Sequence, residues 1–150
     1  MKYYQGFFKP KHPGKYKGDP TNIIYRSGLE FKLMRFLDDN QNVIKWASEE
    51  FFIPYTSPID GKRHRYFPDF WVKKKNRQGL VEELVIEVKP SSQCKPPNIE
   101  NKNTPKGRIS KRYITEVKNW GINSSKWEAA EKFCKRKGWR FVIMTEKDLK

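Results

Sequence analysis

The spacing of hydrophobic residues after residue 25 predicts an amphipathic helix. Leucine and phenylalanine recur every three or four residues over positions 29–37, which is the period of a single helix face. Ser27 and Glu30 have the spacing of a capping box, in which the two side chains satisfy free amides at a helix N-terminus. The sequence therefore predicts a helix that opens at Ser27 and ends near Asp39.

The segments that follow this helix have the composition of β-strands. VIKWAS, EEFFIPY and HRYFPDFWVKK are rich in β-branched and aromatic residues, and Asp60 and Gly61 mark a turn before the last of them. After a second turn at residues 76–79, LVEELVIEVK alternates apolar residues with others, so that Glu87 and Lys89 share one face. We expect consecutive antiparallel strands, with the candidate chemistry on the last of them.

The final third of the chain predicts a long loop, two helices and a last strand. Residues 90–107 contain four prolines and many polar residues, which is typical of a functional or disordered loop. Hydrophobic residues at helical spacing over positions 109–117 indicate a basic helix. A second capping box at Ser125 and Glu128 opens another helix, which Gly138 ends before the strand WRFVIMTE. These elements predict an α/β (α+β) fold with helices on a sheet.

Residues 1–24 predict an extended basic and aromatic arm in front of a core that spans residues 25–150. The arm contains glycines and prolines and interleaves lysines with aromatic residues. Two interpretations fit it equally: a strip that stacks on bases or docks on a protein partner, and a segment that covers the sheet with its aromatic rings. The residues concerned are Tyr3, Tyr4, Phe7, Phe8 and Tyr16, with Lys2, Lys9, Lys11, Lys15 and Lys17.

Composition adds a strong basic charge to this picture. The 150 residues suffice for one compact domain, and 32 Lys and Arg against 17 Asp and Glu give a formal net charge of +15. Such an excess is usually retained for a polyanionic partner. Because no apolar run reaches the roughly 18 residues that span a bilayer, nucleic acid is favoured over a membrane. The N-terminus lacks the apolar core of a secretory signal, so we expect a cytoplasmic protein.

Two acidic residues lie at positions in the predicted strands where a charged side chain is not expected. Asp69 follows Pro68 inside an aromatic strand, and Glu87 lies near the end of the next strand. Antiparallel neighbours can bring both carboxylates within a few ångströms, which suits the oxygen ligands that Mg²⁺ requires. Lys89 would then lie beside the metal, where its ammonium group orients a water and neutralises charge developing on a phosphate. The backbone carbonyl of Val88 is a further candidate ligand.

Each of these residues also has a plain structural interpretation. Glu87 and Lys89 alone would form an exposed ladder of opposite charges on a sheet. Glu30 alone is better explained as the capping partner of Ser27. Only the combination of these residues in one chain favours the catalytic interpretation over the structural one.

The sequence contains few of the residues and motifs that other kinds of active site require. His12 and His64 are the only histidines, so histidine-centred acid–base pairs and zinc sites are poorly supported. Cys94 and Cys134 have no CxxC spacing, and we expect two reduced thiols. The sequence also lacks a Walker-type phosphate loop and a GxSxG serine motif.

The ordered motifs RSGLE, PDF and IEVK within residues 25–89 resemble those of the PD-(D/E)xK nuclease superfamily. Their arrangement is similar to that of the T7-type phage Holliday-junction resolvases and the Tn7 transposon-end nucleases. Over its whole length the chain resembles the head-completion nucleases of T4-like bacteriophages. The resemblance implies a restriction-endonuclease-like mixed β-sheet flanked by helices. It also implies a metal-dependent DNA endonuclease of little sequence specificity that acts in head completion after DNA packaging.

Carried onto this sequence, the superfamily motifs assign a role to four side chains. Asp69 and Glu87 would be the metal-binding catalytic carboxylates, and Lys89 the catalytic lysine. Glu30 would be an auxiliary catalytic carboxylate that reaches the metal directly or through a water, and the Val88 carbonyl would add a ligand. The implied cofactor is Mg²⁺, with Mn²⁺ able to substitute. Phage head, portal or neck proteins would be partners, in the cytoplasm of the infected host cell or in the virion.

The predicted DNA-binding residues are basic side chains that would contact backbone phosphates, which fix position but carry little sequence information. Within the RSGLE motif, Arg26 and Ser27 would hold either the helix end or a phosphate. The full set is Arg26, Arg63, Arg65, Lys73, Lys74, Lys75, Arg108, Lys111, Arg112 and Lys118.

Two alternative functions stay open at this point. A dimeric Holliday-junction resolvase would need two active sites, and the sequence leaves the oligomeric state open. A structural DNA-binding virion-assembly protein with a vestigial nuclease site would bind DNA equally with and without Mg²⁺ and would not cleave it.

Overall fold

The computed structural model describes residues 5–149. Within that range, short 3₁₀ turns at Pro13–Lys15, Ser91–Gln93 and Ile99–Asn101 supplement the regular elements. In chain order these elements are β1 (Gly6–Phe7), β2 (Ile24–Tyr25), α1 (Gly28–Asp39), β3 (Val43–Ser48), β4 (Ile53–Thr56), β5 (Arg63–Tyr66), β6 (Phe70–Lys75), β7 (Val81–Val88), α2 (Lys111–Lys137) and β8 (Arg140–Met144).

Four strands form a mixed central sheet in the order β3–β6–β7–β8. β6 pairs antiparallel with β3 and β7, whereas β8 lies parallel to β7. Because a parallel neighbour requires a crossover connection, the long segment that contains α2 joins β7 to β8. The mixed sheet with flanking helices confirms the predicted fold class and is consistent with a restriction-endonuclease-like fold.

The prediction of consecutive antiparallel strands is wrong in its order. β4 and β5 pair with each other in a separate hairpin, and β3 pairs with β6, which is not the next strand in the sequence. Gly61, with a φ of 69°, lies in the predicted turn of that hairpin. The aromatic segment that was expected to be one strand is broken between Tyr66 and Phe70. Pro68 explains the break, because its ring leaves no N–H for a ladder hydrogen bond.

One face of the central sheet carries a buried apolar cluster that packs against α1. Trp46, Phe70 and Ile86 come from three different strands and are almost fully buried there. Leu33 and Leu37 of α1 pack into the same cluster, as the helical periodicity predicted. This face therefore holds the main hydrophobic core.

The N-terminal segment covers part of this core. Phe8 and Tyr16 are buried in the cluster against α1, and their rings meet Trp46 edge-on at 5.9 and 4.8 Å between centroids. Phe7, by contrast, is exposed. For Phe8 and Tyr16 the covering interpretation thus holds, while Lys2, Tyr3 and Tyr4 lie outside the described residues.

The opposite face of the sheet packs against α2, which is one helix and not the two that were predicted. Ser110 caps it by accepting a hydrogen bond from the Tyr113 amide at 3.3 Å, and Gly138 ends it in the left-handed conformation. A glycine inside a helix costs about 1 kcal/mol, yet Gly121 lies within α2. Packing of the helix on the β4–β5 hairpin outweighs this cost.

The expected second capping box lies in the interior of this long helix. Ser125 and Glu128 have the spacing of such a box, but the chain before them is already helical. The motif identifies an N-terminus only where the preceding residues leave the helix. Among the described residues, no helix is both long and apolar enough to cross a membrane.

Candidate active site

The pairing of β6 with β7 places Asp69 and Glu87 next to each other. Phe70 lies opposite Ile86 in the register of these strands, so Asp69, one residue before β6, is level with Glu87. The carboxylate of Asp69 accepts a hydrogen bond from the Val88 amide at 2.8 Å. The two carboxylates therefore meet where β6 begins and β7 ends.

Two further carboxylates approach Asp69 at this end of the sheet. Glu30, Glu49 and Asp69 each offer an oxygen that lies within 4.8 Å of the other two. Glu30 comes from the first turn of α1, and Glu49 follows β3. The amide of Glu49 donates to the backbone carbonyl of Asp69 at 3.2 Å, which ties the two segments together. Glu30, Glu49 and Asp69 are called the acidic cluster below.

Glu49 is a residue of the candidate site that sequence reasoning missed. It is adjacent to Glu50 just after a strand, where acidic residues are common and carry no periodic signal. Its φ of 53° is rare for a residue with a side chain and is not visible in the sequence. The pairing of β3 with β6 would have revealed it, but the sequence predicted β3 beside β4. Arg26, predicted to contact DNA, forms an ion pair with Glu49.

Glu30 makes the capping contacts and joins the acidic cluster as well. Ser27 accepts a hydrogen bond from the Glu30 amide at 3.1 Å and donates its hydroxyl to the Glu30 carboxylate at 3.1 Å. The same carboxylate oxygen, Oε2, accepts from the amide of Arg26, one residue before the N-cap. The cap therefore engages one of the two carboxylate oxygens, and the structural and functional interpretations of Glu30 are compatible.

Glu87 is buried and surrounded by polar groups from three elements. The Tyr66 hydroxyl donates a hydrogen bond to Oε2, and the Lys89 ammonium lies 3.8 Å from Oε1. Lys126 of α2 lies 5.6 Å from the centre of the Tyr66 ring, and its charge offsets part of the rise that burial causes in the pKa of Glu87. With Glu87 only 6% exposed, the interpretation of an exposed charge ladder with Lys89 is wrong.

Burial raises the pKa of Glu30, Asp69 and Glu87 above the usual carboxylate range. For Asp69 the negative charge of Glu87 raises the pKa further, and the hydrogen bond from Val88 offsets only part of the rise. For Glu87 the hydrogen bond and the nearby lysines also offset part of the effect of burial. The site therefore holds acids that bind protons more tightly than free carboxylates do.

This arrangement suits a divalent cation. Carboxylate oxygens are the hard ligands that Mg²⁺ and Mn²⁺ prefer, and three of them converge in the acidic cluster. Crowded carboxylates raise each other's pKa, and a bound cation reverses that effect because its own charge dominates the site. The residues present thus fit a metal ion.

Apart from Arg26, the predicted basic residues lie in three places. Arg63 and Arg65 lie on the exposed hairpin strand β5. Residues 73–75 occupy the far end of β6, roughly 15 Å of strand away from Asp69, where Lys74 pairs with Glu82 at 3.7 Å. The remaining predicted residues are exposed at and before the first half of α2: Arg108, Lys111, Arg112 and Lys118.

Comparison with known proteins identifies the family of this chain. The family described as TnsA-like endonuclease N terminal matches residues 40–146, a range that includes Glu49, Asp69, Glu87 and Lys89. The chain is also 38% identical over 147 residues to the head completion nuclease of Enterobacteria phage T4, covering 98% of this chain and 94% of that protein. The chain belongs to the TnsA-like endonuclease family, of the PD-(D/E)xK type.

Proposed function

We propose that the protein is a metal-dependent endonuclease that hydrolyses phosphodiester bonds in DNA with little sequence specificity, and that it acts in phage head completion. The observation that carries this proposal is the acidic cluster, with its oxygens within 4.8 Å of one another, beside Glu87 and Lys89. The name of the T4 relative supports the biological process. The net charge of +15 supports a polyanionic substrate.

We assign the metal to Asp69 and Glu87, with the backbone carbonyl of Val88 as a third ligand. Glu30 and Glu49 would extend the site, directly or through water. Mg²⁺ is the expected ion and Mn²⁺ would substitute, because both accept oxygen ligands. When bound, the metal supplies Lewis-acid polarisation of the scissile phosphate and lowers the pKa of a coordinated water.

Lys89 is the residue that we assign to water alignment and charge neutralisation. Its ammonium group lies 3.8 Å from Glu87 and can donate hydrogen bonds to a water held for in-line attack. The same positive charge would stabilise the negative charge that develops on the phosphate. Lys89 would therefore contribute in the transition state more than in the ground state.

Tyr66 and Lys126 are positioning residues that would act through Glu87. The Tyr66 hydroxyl fixes one oxygen of the Glu87 carboxylate. Lys126 of α2 lies against the Tyr66 ring and adds positive charge near Glu87. Together they would offset part of the cost of burying the Glu87 carboxylate and orient it towards Asp69.

DNA would be held through its backbone by the exposed basic residues of the hairpin and by those at and before the first half of α2, namely Arg63, Arg65, Arg108, Lys111, Arg112 and Lys118. Such contacts supply affinity and orientation without sequence information. Phage head, portal or neck proteins would be the assembly partners. The protein would therefore act in the cytoplasm of the infected host cell, or be carried in the virion.

Incubation of the purified protein with linear, circular and branched DNA, in Mg²⁺, Mn²⁺ or EDTA, tests this function. We expect metal-dependent cleavage of DNA of unrelated sequence and no cleavage in EDTA. Cleavage of branched DNA alone by a dimer would favour the junction resolvase. Equal DNA binding with and without Mg²⁺ and no cleavage would favour a structural assembly protein.

A further inference from the structure

Two phenylalanines form an exposed aromatic pair that the sheet and hairpin cores do not use. Phe52 is 45% exposed and Phe67 is 46% exposed, and their ring centres lie 5.8 Å apart. The guanidinium of Arg65 lies over the Phe52 ring, 5.0 Å from its centre. Single exposed hydrophobic side chains are ordinary, but a contacting pair with a cation stacked on it is a preformed surface.

The pair lies beside the acidic cluster along both chain segments that lead to it. Phe67 precedes Asp69 by two residues, so their Cα atoms are at most about 7 Å apart. Phe52 follows Glu49 by three residues, and the Glu49 amide is bonded to the Asp69 carbonyl. Pro68, which is fully buried, fixes the chain between Phe67 and Asp69. The aromatic surface is thus held at a set distance from the site.

The chemistry of this surface matches a nucleotide whose base is not stacked in a duplex. A ring face accepts any nucleobase by stacking, and a guanidinium pairs with a phosphate. Within a duplex each base is covered on both faces by its neighbours, so only an unpaired or displaced base can occupy the pair. An apolar protein partner would gain nothing from the Arg65 charge that is stacked on Phe52.

We propose that Phe52 and Phe67, with Arg65, form a platform for an unpaired nucleobase next to the scissile phosphate. The preferred DNA would then contain unpaired bases close to the cut, as at a gap, a flap or a branch. The proposal deepens the proposed nuclease function and rests on it for the position of the phosphate. The base-binding step itself can be measured without any cleavage.

Binding of Asp69→Asn protein to two DNAs of one sequence tests the platform. One DNA is a complete duplex, and the other carries a short single-stranded gap with 2-aminopurine in it, whose fluorescence falls when the base stacks. We expect tighter binding to the gapped DNA, with quenching. Phe52→Leu or Phe67→Leu should weaken gapped-DNA binding about tenfold, remove the quenching and leave duplex affinity unchanged.

Two further variants make the result specific to stacking. Phe67→Trp keeps an aromatic face and should retain the preference for gapped DNA. Phe36→Leu alters a similarly exposed phenylalanine on α1 and should change neither affinity. Retention of the preference in both Leu variants, or equal weakening on both DNAs, would overturn the platform. So would unchanged affinity for both DNAs, which is the result expected of a surface for a protein partner.

The two proposals can fail separately. If the unsubstituted protein cleaves no DNA with Mg²⁺ or Mn²⁺, while the gap preference depends on the phenylalanines, the nuclease function fails and the platform stands. If metal-dependent cleavage occurs and both DNAs bind equally, the platform fails and the nuclease function stands.

Discussion

Two regions of the protein bury carboxylates, and they treat them differently. Where the N-terminal segment meets α1, Asp38 is 2% exposed, and both of its oxygens accept backbone hydrogen bonds, from Lys11 at 2.7 Å and His12 at 3.0 Å. At the acidic cluster, carboxylates face one another, and the hydrogen bonds they receive do not offset their burial. In the first region the buried charge of Asp38 holds the N-terminal segment against α1. In the second, the negative charges of the carboxylates are not fully compensated by the groups around them.

The comparison separates a structural acid from a functional one by its partners. A buried carboxylate whose oxygens are satisfied by fixed amides stabilises the fold. Several carboxylates that share a site and raise one another's pKa are a poor arrangement for folding and a suitable one for a cation. Burial alone therefore does not distinguish the two regions, whereas the hydrogen bonds that each buried carboxylate receives do.

Among the basic residues, the largest expected effect belongs to Lys89, which lies beside the acids. Lys89→Ala should lower turnover at least about a hundredfold, because it removes charge stabilisation that matters mainly in the transition state. Single-turnover cleavage of plasmid DNA measures this. Lys132→Ala is the control, since Lys132 forms an exposed pair with Glu128 on α2 at 3.1 Å, and its loss should leave turnover unchanged. Equal turnover in both variants would make Lys89 another surface lysine.

A second effect belongs to the structural acid. Asp38→Asn places an NH₂ group against one of the two amides that the carboxylate accepts from, and should lower the free energy of unfolding by about 1–3 kcal/mol. Urea unfolding followed by tryptophan fluorescence measures the loss. Asp39→Asn changes the exposed neighbour and should stay within about 0.5 kcal/mol of the unsubstituted protein. If Asp39→Asn lowered the free energy of unfolding as much as Asp38→Asn does, the amide contacts of Asp38 would contribute nothing to stability.

The sequence predicted the apolar parts of this fold well. The α1 boundaries, the alternation along β7 and the end of α2 at Gly138 follow from periodicity and capping, which are local properties. The order of strands and the continuity of α2 were predicted wrongly. Both depend on which segments meet in space. β3 pairs with β6 and not with β4, and packing on the hairpin stabilises α2 as one helix despite Gly121 in its interior.

The residues of the candidate site that belong to sequence motifs could be predicted. PDF and E-x-K indicated Asp69, Glu87 and Lys89, because their spacing reflects two paired strands. Glu49 and Tyr66 were not predicted, since their roles come from the pairing of β3 with β6 and from the position of the hairpin strand β5. Residues that approach from distant segments carry no local signal in a single sequence.

A third prediction uses pH to probe the acidic cluster without metal. Because folding raises the pKa of Glu30, Asp69 and Glu87, the folded state holds protons that the unfolded state releases, and stability is lost as pH rises above about 4. In EDTA, the melting temperature of the unsubstituted protein should therefore fall relative to that of Asp69→Asn as pH rises. Mg²⁺ should reverse this fall, because the ion replaces the protons. A constant difference between the two proteins at all pH values would contradict the raised pKa values.

The smallest expected effect tests the basic helix. If the surface neutralises on the order of five phosphates, log affinity should fall with log salt with a slope near −4 to −5. Replacing Lys111 and Arg112 with Ala should make the slope shallower by up to about two units, one per lost phosphate contact. Replacing Lys135 and Arg136 removes the same charge from the other end of α2 and should change the slope less. Equal slopes for the two double variants would leave only the net charge as the cause of binding.

The most direct measurement compares Asp69→Asn with Asp38→Asn, for cleavage and for unfolding, in the same buffers. Asp69→Asn should remain folded, melt no lower than the unsubstituted protein in EDTA, and show no cleavage with Mg²⁺ or Mn²⁺. Asp38→Asn should melt at a lower temperature and, where folded, cleave at the unsubstituted rate. Cleavage by Asp69→Asn at the unsubstituted rate would contradict the assignment of the acidic cluster as the active site.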